Sequence, residues 1–301
     1  MGMALHQSLM KHAQPFHLWI LCMDQTVEHQ LQHLALSHVT LIPLQDLETP
    51  ELLAIKVGRS RGEYCWTLTP FTFEAVFVRN PQVQQVTYLD ADLFFFADPR
   101  ILLQELQCNQ KQVLITEHAY APEYEQSLVN GRFCVQFITF QKTDAAIKVM
   151  HWWQDRCLEW CFNKHEEGKF GDQKYLDCWP EQFSSEVQIV QQVDKTLAPW
   201  NVGFFEKQQP DRLNPVFYHF HGLRIINPAK IQLFLKYRIG SQGLMLYEEY
   251  ITSLIEVIYH LQSVGISTPY ITPPKEKFGI LRYWKRLLTG EVQFRSIPQQ
   301  L

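Results

Sequence analysis

A chain of 301 residues that is 46% hydrophobic and 19% charged can bury a sizeable core, as one large α/β domain or two small ones, and is too apolar for wholesale disorder. Its 27 basic and 31 acidic residues leave a formal charge of -4, which gives no global pull towards nucleic acid. Seven scattered cysteines, odd in number and without a Cys-x-x-Cys pair, suggest neither a disulfide framework nor a zinc knuckle and fit a reducing compartment.

Phe16 to Met23 is an apolar run that predicts the first strand. Gln25 to Leu36 has helical spacing, Val39 to Leu44 gives a second strand, and Glu51 to Val57 is helical. Gly62 to Arg79 predicts a longer apolar helix with a kink or break at Pro70. Val83 to Leu89 is a strand, an aromatic-rich strand follows it, and Pro99 to Leu106 is a helix with Asp98 as its N-cap. Val113 to Thr116 gives another strand ending at Glu117-His118, Tyr120 to Asn130 a loop, and Phe133 to Phe140 a strand. Thr143 to Phe162 is an amphipathic helix rich in Trp, in which Cys157 and Cys161 read as packed small hydrophobes, a metal-binding face being the alternative.

Strands interleaved with helices at these lengths predict a parallel or mixed sheet wrapped by helices, in one domain over residues 1–230. Residues 231–301 read as a helical appendage punctuated at Thr272-Pro273-Pro274. Met1 to Gln14 lacks the apolar segment of a signal peptide, and no run of about 18 apolar residues predicts a membrane span, so a cytoplasmic protein is expected.

The chemistry concentrates at Tyr88-Leu89-Asp90-Ala91-Asp92. Ionised carboxylates at the end of an apolar strand are costly unless they are paired or hold a cation. At the tip of a parallel strand they stand where open α/β sheets place ligands, which predicts a divalent metal holding a phosphorylated substrate. Farther on, Asp172 reads either as the N-cap of a helix running to about Trp179 or as a cleft-facing carboxylate. His219 is either a core histidine satisfied by a carbonyl or a metal ligand.

Four segments carry a resemblance: Tyr88-Leu89-Asp90-Ala91-Asp92, Phe170-Gly171-Asp172-Gln173, Trp200-Asn201-Val202-Gly203 and Tyr218-His219-Phe220-His221-Gly222. In this order they resemble glycosyltransferases of the GT-A fold, and among these the retaining enzymes of family eight. The resemblance implies a Rossmann-like α/β fold: a mixed, mostly parallel sheet flanked by helices, here with the C-terminal helical appendage. It implies transfer of a hexose from a nucleotide-diphosphate sugar, UDP favoured, to a glycan or lipid-linked acceptor, with retention.

The same resemblance implies that Asp90, Asp92 and His219 bind Mn²⁺ (or Mg²⁺) across the donor diphosphate. Two hard oxygens with one imidazole suit Mn²⁺ the better of the two. Asp172 would hydrogen-bond donor-sugar hydroxyls and Gln173 would lie near the anomeric carbon. Lys56, Arg59 and Arg61 fall where relatives keep contacts to nucleotide and phosphates, the alternative being a solvated helix end. Arg224 stands where relatives often carry a Lys that faces the diphosphate, and His221 is expected to face away from His219 and either to support the metal ligands from behind or to contact phosphate.

The chain departs from the family pattern at Cys134-Val135-Gln136-Phe137, where relatives carry Asn-x-Gly, and at Arg224-Ile225-Ile226, where they carry Lys-Pro-Trp. The rival readings are a non-catalytic nucleotide-sugar-binding protein, a sugar-phosphate nucleotidyltransferase and a metal-dependent phosphohydrolase. Lys275 to Arg286 interleaves Lys275, Lys277, Arg282, Lys285 and Arg286 with apolar residues. Such a segment suits either peripheral contact with an anionic membrane or docking on the catalytic domain.

Overall fold

The computed structural model describes residues 1–209, 211–271 and 280–298. Thr272-Pro273-Pro274, Lys275 and Lys277 lie outside the described residues. The chain opens with helix α1 (Gly2–His12), strand β1 (Leu18–Cys22), α2 (Gln25–Leu34), β2 (Val39–Pro43), α3 (Pro50–Lys56) and α4 (Arg61–Arg79). Side chains close the helix starts as their sequence suggests: Asp24 accepts from Val27 N–H, Thr49 from Leu52 N–H, and Ser60 and Glu63 form a reciprocal capping box.

Helix α4 runs through Pro70 without a break. Its buried residues flank the proline on both sides, from Tyr64 and Leu68 to Phe73 and Phe77, and Gln154 Nε2 donates to the Pro70 carbonyl at 3.2 Å. Tertiary packing here overrides the local cost of an interior proline.

The middle of the chain supplies β3 (Gln85–Leu89), β4 (Leu93–Phe95), α5 (Arg100–Cys108), β5 (Val113–Glu117), α6 (Ser127–Asn130), β6 (Phe133–Gln141) and α7 (Asp144–Glu159). The cap of α5 is Pro99 and not Asp98 as expected; Asp98, one residue earlier, accepts from the Arg100 N–H at 2.9 Å. Then follow α8 (Trp179–Gln182), β7 (Val187–Ile189), β8 (Thr196–Leu197), α9 (Val202–Gln208), β9 (Phe217–His219), β10 (Arg224–Asn227), β11 (Lys230–Leu235), α10 (Ser241–Ser263), α11 (Ile280–Leu288) and β12 (Val292–Ser296).

The result is a mixed α/β fold with sheets flanked by helices. Strands run in the order β3-β6-β5-β7 in one sheet and β4-β9-β8 in another; β1 pairs with β2 and β10-β11-β12 form a meander. The pairings β1–β2, β5–β7 and β8–β9 are parallel, while β3–β6, β5–β6, β4–β9 and both meander pairings are antiparallel. The strand that leads to Asp90 is therefore antiparallel to its neighbour β6, not the parallel strand expected. Phe133 to Phe140 are all buried on both faces, as in any central strand, and such a run carries no sign of direction.

Beyond Lys230 the described residues hold two strands, β11 and β12, as well as helices. Helix α10 buries Tyr247, Tyr250, Ile251 and Leu254 in one core with Phe94, Tyr218 and Phe220. A second core joins α4 and α7 to β6 through Phe73, Phe140, Trp153 and Trp179. Among the described residues no helix is long and apolar enough to cross a membrane.

Candidate metal and nucleotide-sugar site

The Asp-x-Asp segment is a tight turn between two strands. Strand β3 ends at Leu89, β4 begins at Leu93, and Leu93 N–H donates to the Asp90 carbonyl at 3.1 Å. Each aspartate is tied to a different sheet. Asp90 N–H donates to the Gln136 carbonyl of β6 at 3.1 Å, and the Asp92 carbonyl accepts from Phe220 N–H, just past β9, at 2.9 Å. Because Leu93 lies opposite His219 in the β4–β9 ladder, the imidazole arrives directly over the turn.

His219 Nε2 stands 3.0 Å from Asp92 Oδ1 and 3.7 Å from Asp90 Oδ2. Its Nδ1 lies 2.7 Å from the amide oxygen of Gln136, so Nδ1–H donates there and Nε2 is turned to the carboxylates. Tyr88 donates its hydroxyl to Asp90 Oδ1 at 2.9 Å. The Asp90 and Asp92 side chains keep 29% and 23% exposure, so the site opens to solvent.

Electrostatically the group is built around one positive charge. Burial works against ionised Asp92, yet His219 outweighs it and holds that carboxyl at about 2. Burial raises Asp90, with repulsion from Asp92 adding and His219 opposing. Burial alone would lower His219, but Asp92 and Asp90 raise it well above an ordinary imidazole. Among the described residues the donor atoms that lie within 4.8 Å of one another, a spacing one cation could span, are those of Asp92, His219 and His221; Asp90 is outside that group and approaches His219 at 3.7 Å.

His221 does not face away from His219. One donor atom each of Asp92, His219 and His221 lies within 4.8 Å of the others. Side chains two apart on extended backbone share a side, and Phe220 between them turns inward, where its ring stacks on Tyr250 at 3.8 Å. The chain then reverses through Phe220-His221-Gly222-Leu223, closed by Leu223 N–H to the Phe220 carbonyl at 3.1 Å. Gly222 has φ +81°, the sign that glycine adopts readily at the third position of such a turn. Although one edge of His221 reaches solvent, its ring sits deep among protein atoms. Burial, with the charges of His219 and Arg224 adding, lowers it to about 4.

Asp172 comes to the same place from another direction. Gly171, at φ +54°, packs so closely on Trp66 that a Cβ would meet the indole at 3.3 Å. Asp172 then stands at the cap position of a 3-10 helix (Gln173–Cys178) but makes no capping hydrogen bond. Burial, and then the charge of Asp90, push its carboxyl up to about 7.

Other expected residues are placed elsewhere or spoken for. Gln173 donates its amide to the Asn130 carbonyl at 2.7 Å. Lys56 pairs with Glu48 at 2.6 Å, Arg61 with Asp24 at 2.8 Å, and Arg59 donates to the Leu158 carbonyl at 2.8 Å and to Thr67. Arg224 opens β10 beside His221 and donates to the Leu223 carbonyl at 2.8 Å.

Three residues carry parts that the sequence reading did not assign. Gln136 orients His219, and its signal was a lone amide in the apolar run Phe133 to Phe140. Tyr88 holds Asp90. Trp200 donates to the His118 carbonyl at 2.7 Å and sets its ring edge-on to both His219 and His221.

No family model matches the chain. Its sequence is 34% identical over 276 residues to the uncharacterized protein YfnF of Bacillus subtilis (strain 168), covering 87% of this chain and 90% of that one. It is 33% identical over 272 residues to YfnD of the same organism, covering 87% and 86%. The chain belongs to the family of YfnF and YfnD.

Among solved structures, the chain is similar in fold to glycosyltransferases. The galactosyltransferase LgtC, in complex with donor and acceptor sugar analogues, superposes with a TM-score of 0.47 at 13% identity, over 83% of this chain and 91% of LgtC. The glycosyltransferase GlyE of Streptococcus pneumoniae TIGR4 gives 0.47 at 16%, over 91% and 62%. Mouse xyloside xylosyltransferase 1 gives 0.46 at 11%, over 73% and 91%. At TM-scores below 0.5 these likenesses assign neither substrate nor reaction.

Replacing Gln136 with Leu removes the acceptor that fixes the His219 ring. Mn²⁺ affinity measured by calorimetry is expected to fall about 10- to 100-fold while the cooperative melt is kept; unchanged affinity would show that Gln136 does not orient a ligand.

Asp172 gives a second test, in chelator-treated protein. Its carboxyl ionises less readily folded than unfolded, so stability is full below about pH 4 and declines as pH rises through about 7. Asp172→Asn is expected to stabilise the protein by about 2–4 kcal/mol at pH 8 and by almost nothing at pH 4. Urea unfolding at the two pH values measures this, and equal effects at both would mean that the carboxyl titrates normally.

Proposed function

We propose that this chain is a metal-dependent glycosyltransferase of GT-A type, moving a hexose from a UDP-sugar to a glycan or lipid-linked acceptor with retention. The observation that supports this reading is that His219 stands 3.0 Å from Asp92 and 3.7 Å from Asp90, where strands of two sheets meet, with Asp172 close enough to feel the charge of Asp90. Asp90, Asp92 and His219 would hold Mn²⁺. When bound, the ion supplies charge neutralisation for a diphosphate leaving group.

The remaining steps belong to the protein. Tyr88 and Gln136 keep Asp90 and His219 in place by hydrogen bonds. Arg224, next to His221, offers a fork of donors to phosphate oxygens at the mouth of the site. Asp172, poised near neutrality, can accept from or donate to a sugar hydroxyl. Gln173 reaches the reacting carbon only by releasing the Asn130 carbonyl, which makes the α6 segment part of donor entry.

Titration calorimetry with UDP and Mn²⁺ tests the site. Asp92→Asn is expected to lower Mn²⁺-dependent UDP affinity by about 100-fold or more. Asp172→Asn should leave it within about threefold and lower UDP release from the donor sugar by about 100-fold. UDP binding that ignores Mn²⁺ and Asp92 would remove the assignment. Tight binding without UDP release would favour a non-catalytic binder, and release of pyrophosphate from UTP with a sugar phosphate would favour a nucleotidyltransferase.

The same proposal places the enzyme in the cytoplasm, with peripheral contact to an anionic membrane through α11. Trp284 and Leu288, one helical turn apart, are 59% and 87% exposed, with Lys285 exposed between them. The full chain is expected to sediment with phosphatidylglycerol vesicles at low salt, and the double variant Trp284→Ala, Leu288→Ala is expected to stay in the supernatant. Equal partition of both proteins would remove the membrane contact.

A further inference from the structure

We infer that His221 is itself a metal ligand, so that the site presents two imidazoles with its carboxylates and takes a borderline transition metal in preference to Mg²⁺. The inference rests on the metal site proposed above and deepens it.

The first argument is distance. An ion about 2.1 Å from each donor sets neighbouring donors about 3 Å apart and opposed donors about 4.2 Å apart. The donor atoms of Asp92, His219 and His221 lie within 4.8 Å of one another, so closing onto one ion needs only small side-chain adjustments. His219 and Asp92 are already 3.0 Å apart.

The second argument is orientation. The two rings are nearly perpendicular, at 85° with centroids 5.6 Å apart, so they do not stack. Trp200 lies edge-on to each, with centroids 5.4 Å from His219 and 5.6 Å from His221. The indole is pinned in turn by its hydrogen bond to the His118 carbonyl. Phe220, buried between the two histidines in sequence, fixes the backbone from the core side, and the Gly222 turn brings His221 over Asp92.

The third argument is chemistry. Two oxygens and one imidazole leave a site open to Mn²⁺ and, less well, Mg²⁺. A second imidazole moves the preference towards Co²⁺ and Zn²⁺, since nitrogen donors discriminate against the alkaline earths. His221 is exposed and the Asp90 and Asp92 side chains are partly so, which leaves the site accessible to substrate oxygens.

The test reads binding and coordination without substrate. The full-length protein loaded with Zn²⁺ alone is expected to show two imidazole scatterers by X-ray absorption, and Co²⁺ to bind at least tenfold more tightly than Mg²⁺. His221→Gln, on an exposed turn, is expected to melt as the parent does, to lose one imidazole and to lower Co²⁺ affinity about 10- to 100-fold. Mg²⁺ affinity should change less than about threefold. An unchanged imidazole count in His221→Gln overturns the inference. His219→Gln separates the two levels: if it abolishes Zn²⁺ binding while His221→Gln does nothing, the metal site stands and only the second ligand falls. If neither variant affects binding, the metal site itself falls.

Discussion

Two carboxyl groups one residue apart in a turn walled by apolar strands repel each other when both are ionised, and the surrounding structure sets the His219 imidazole 3.0 Å from one and 3.7 Å from the other. Asp92 and Asp90 raise His219 well above an ordinary imidazole, which favours its charged form. A divalent cation would take the same place with twice the charge. The exchange needs no rebuilding of the backbone, because Gln136 already holds Nδ1 and turns Nε2 to the carboxylates. The site is therefore preorganised by hydrogen bonds that do not depend on the ion.

Preorganisation has a structural origin in the two ladders that meet at the turn. Asp90 is tied to β6 and Asp92 to the end of β9, so the distance between the carboxylates and the imidazole is fixed by strand pairing and not by flexible side chains. The arrangement carries a thermodynamic cost at Asp172, a third carboxyl placed near the first two with no basic partner that lowers it below its usual range. Burial and Asp90 push it towards neutrality. Such groups weaken a fold, so the proposal gives Asp172 a role in the chemistry that would account for its persistence.

What the sequence showed and what it hid follow from the range of the forces involved. Most strand and helix positions from Phe16 to Glu159 were legible because periodicity is local, although Ser127–Asn130, expected within a loop, forms the short helix α6; Asp90, Asp92 and His219 were legible as carboxylates and an imidazole in a spaced pattern. Strand direction was not, since the continuous burial of Phe133 to Phe140 is the same either way up. The strands beyond Lys230 escaped because β11 and β12 pair across more than fifty residues of intervening chain. Pro70 misled because its neighbours on α7 decide its fate, and the partners of Lys56, Arg59 and Arg61, namely Glu48, Leu158 and Asp24, are set only by the fold.

His221 is the most instructive of these. Its position depends on Phe220, a residue with no chemistry of its own. That ring is fully buried, stacked on Tyr250 at 3.8 Å and edge-on to Tyr247 at 4.9 Å. With Phe220 committed to the α10 core, its two neighbours have one side left to face, and that side holds the aspartates. The core and the site are then two faces of one short segment. Truncating Phe220 loosens both at once, whereas a change at Gly222 acts on His221 while leaving the β4–β9 ladder that seats His219. Helix α10, though late in the chain, supplies the wall against which the His219–His221 segment is set.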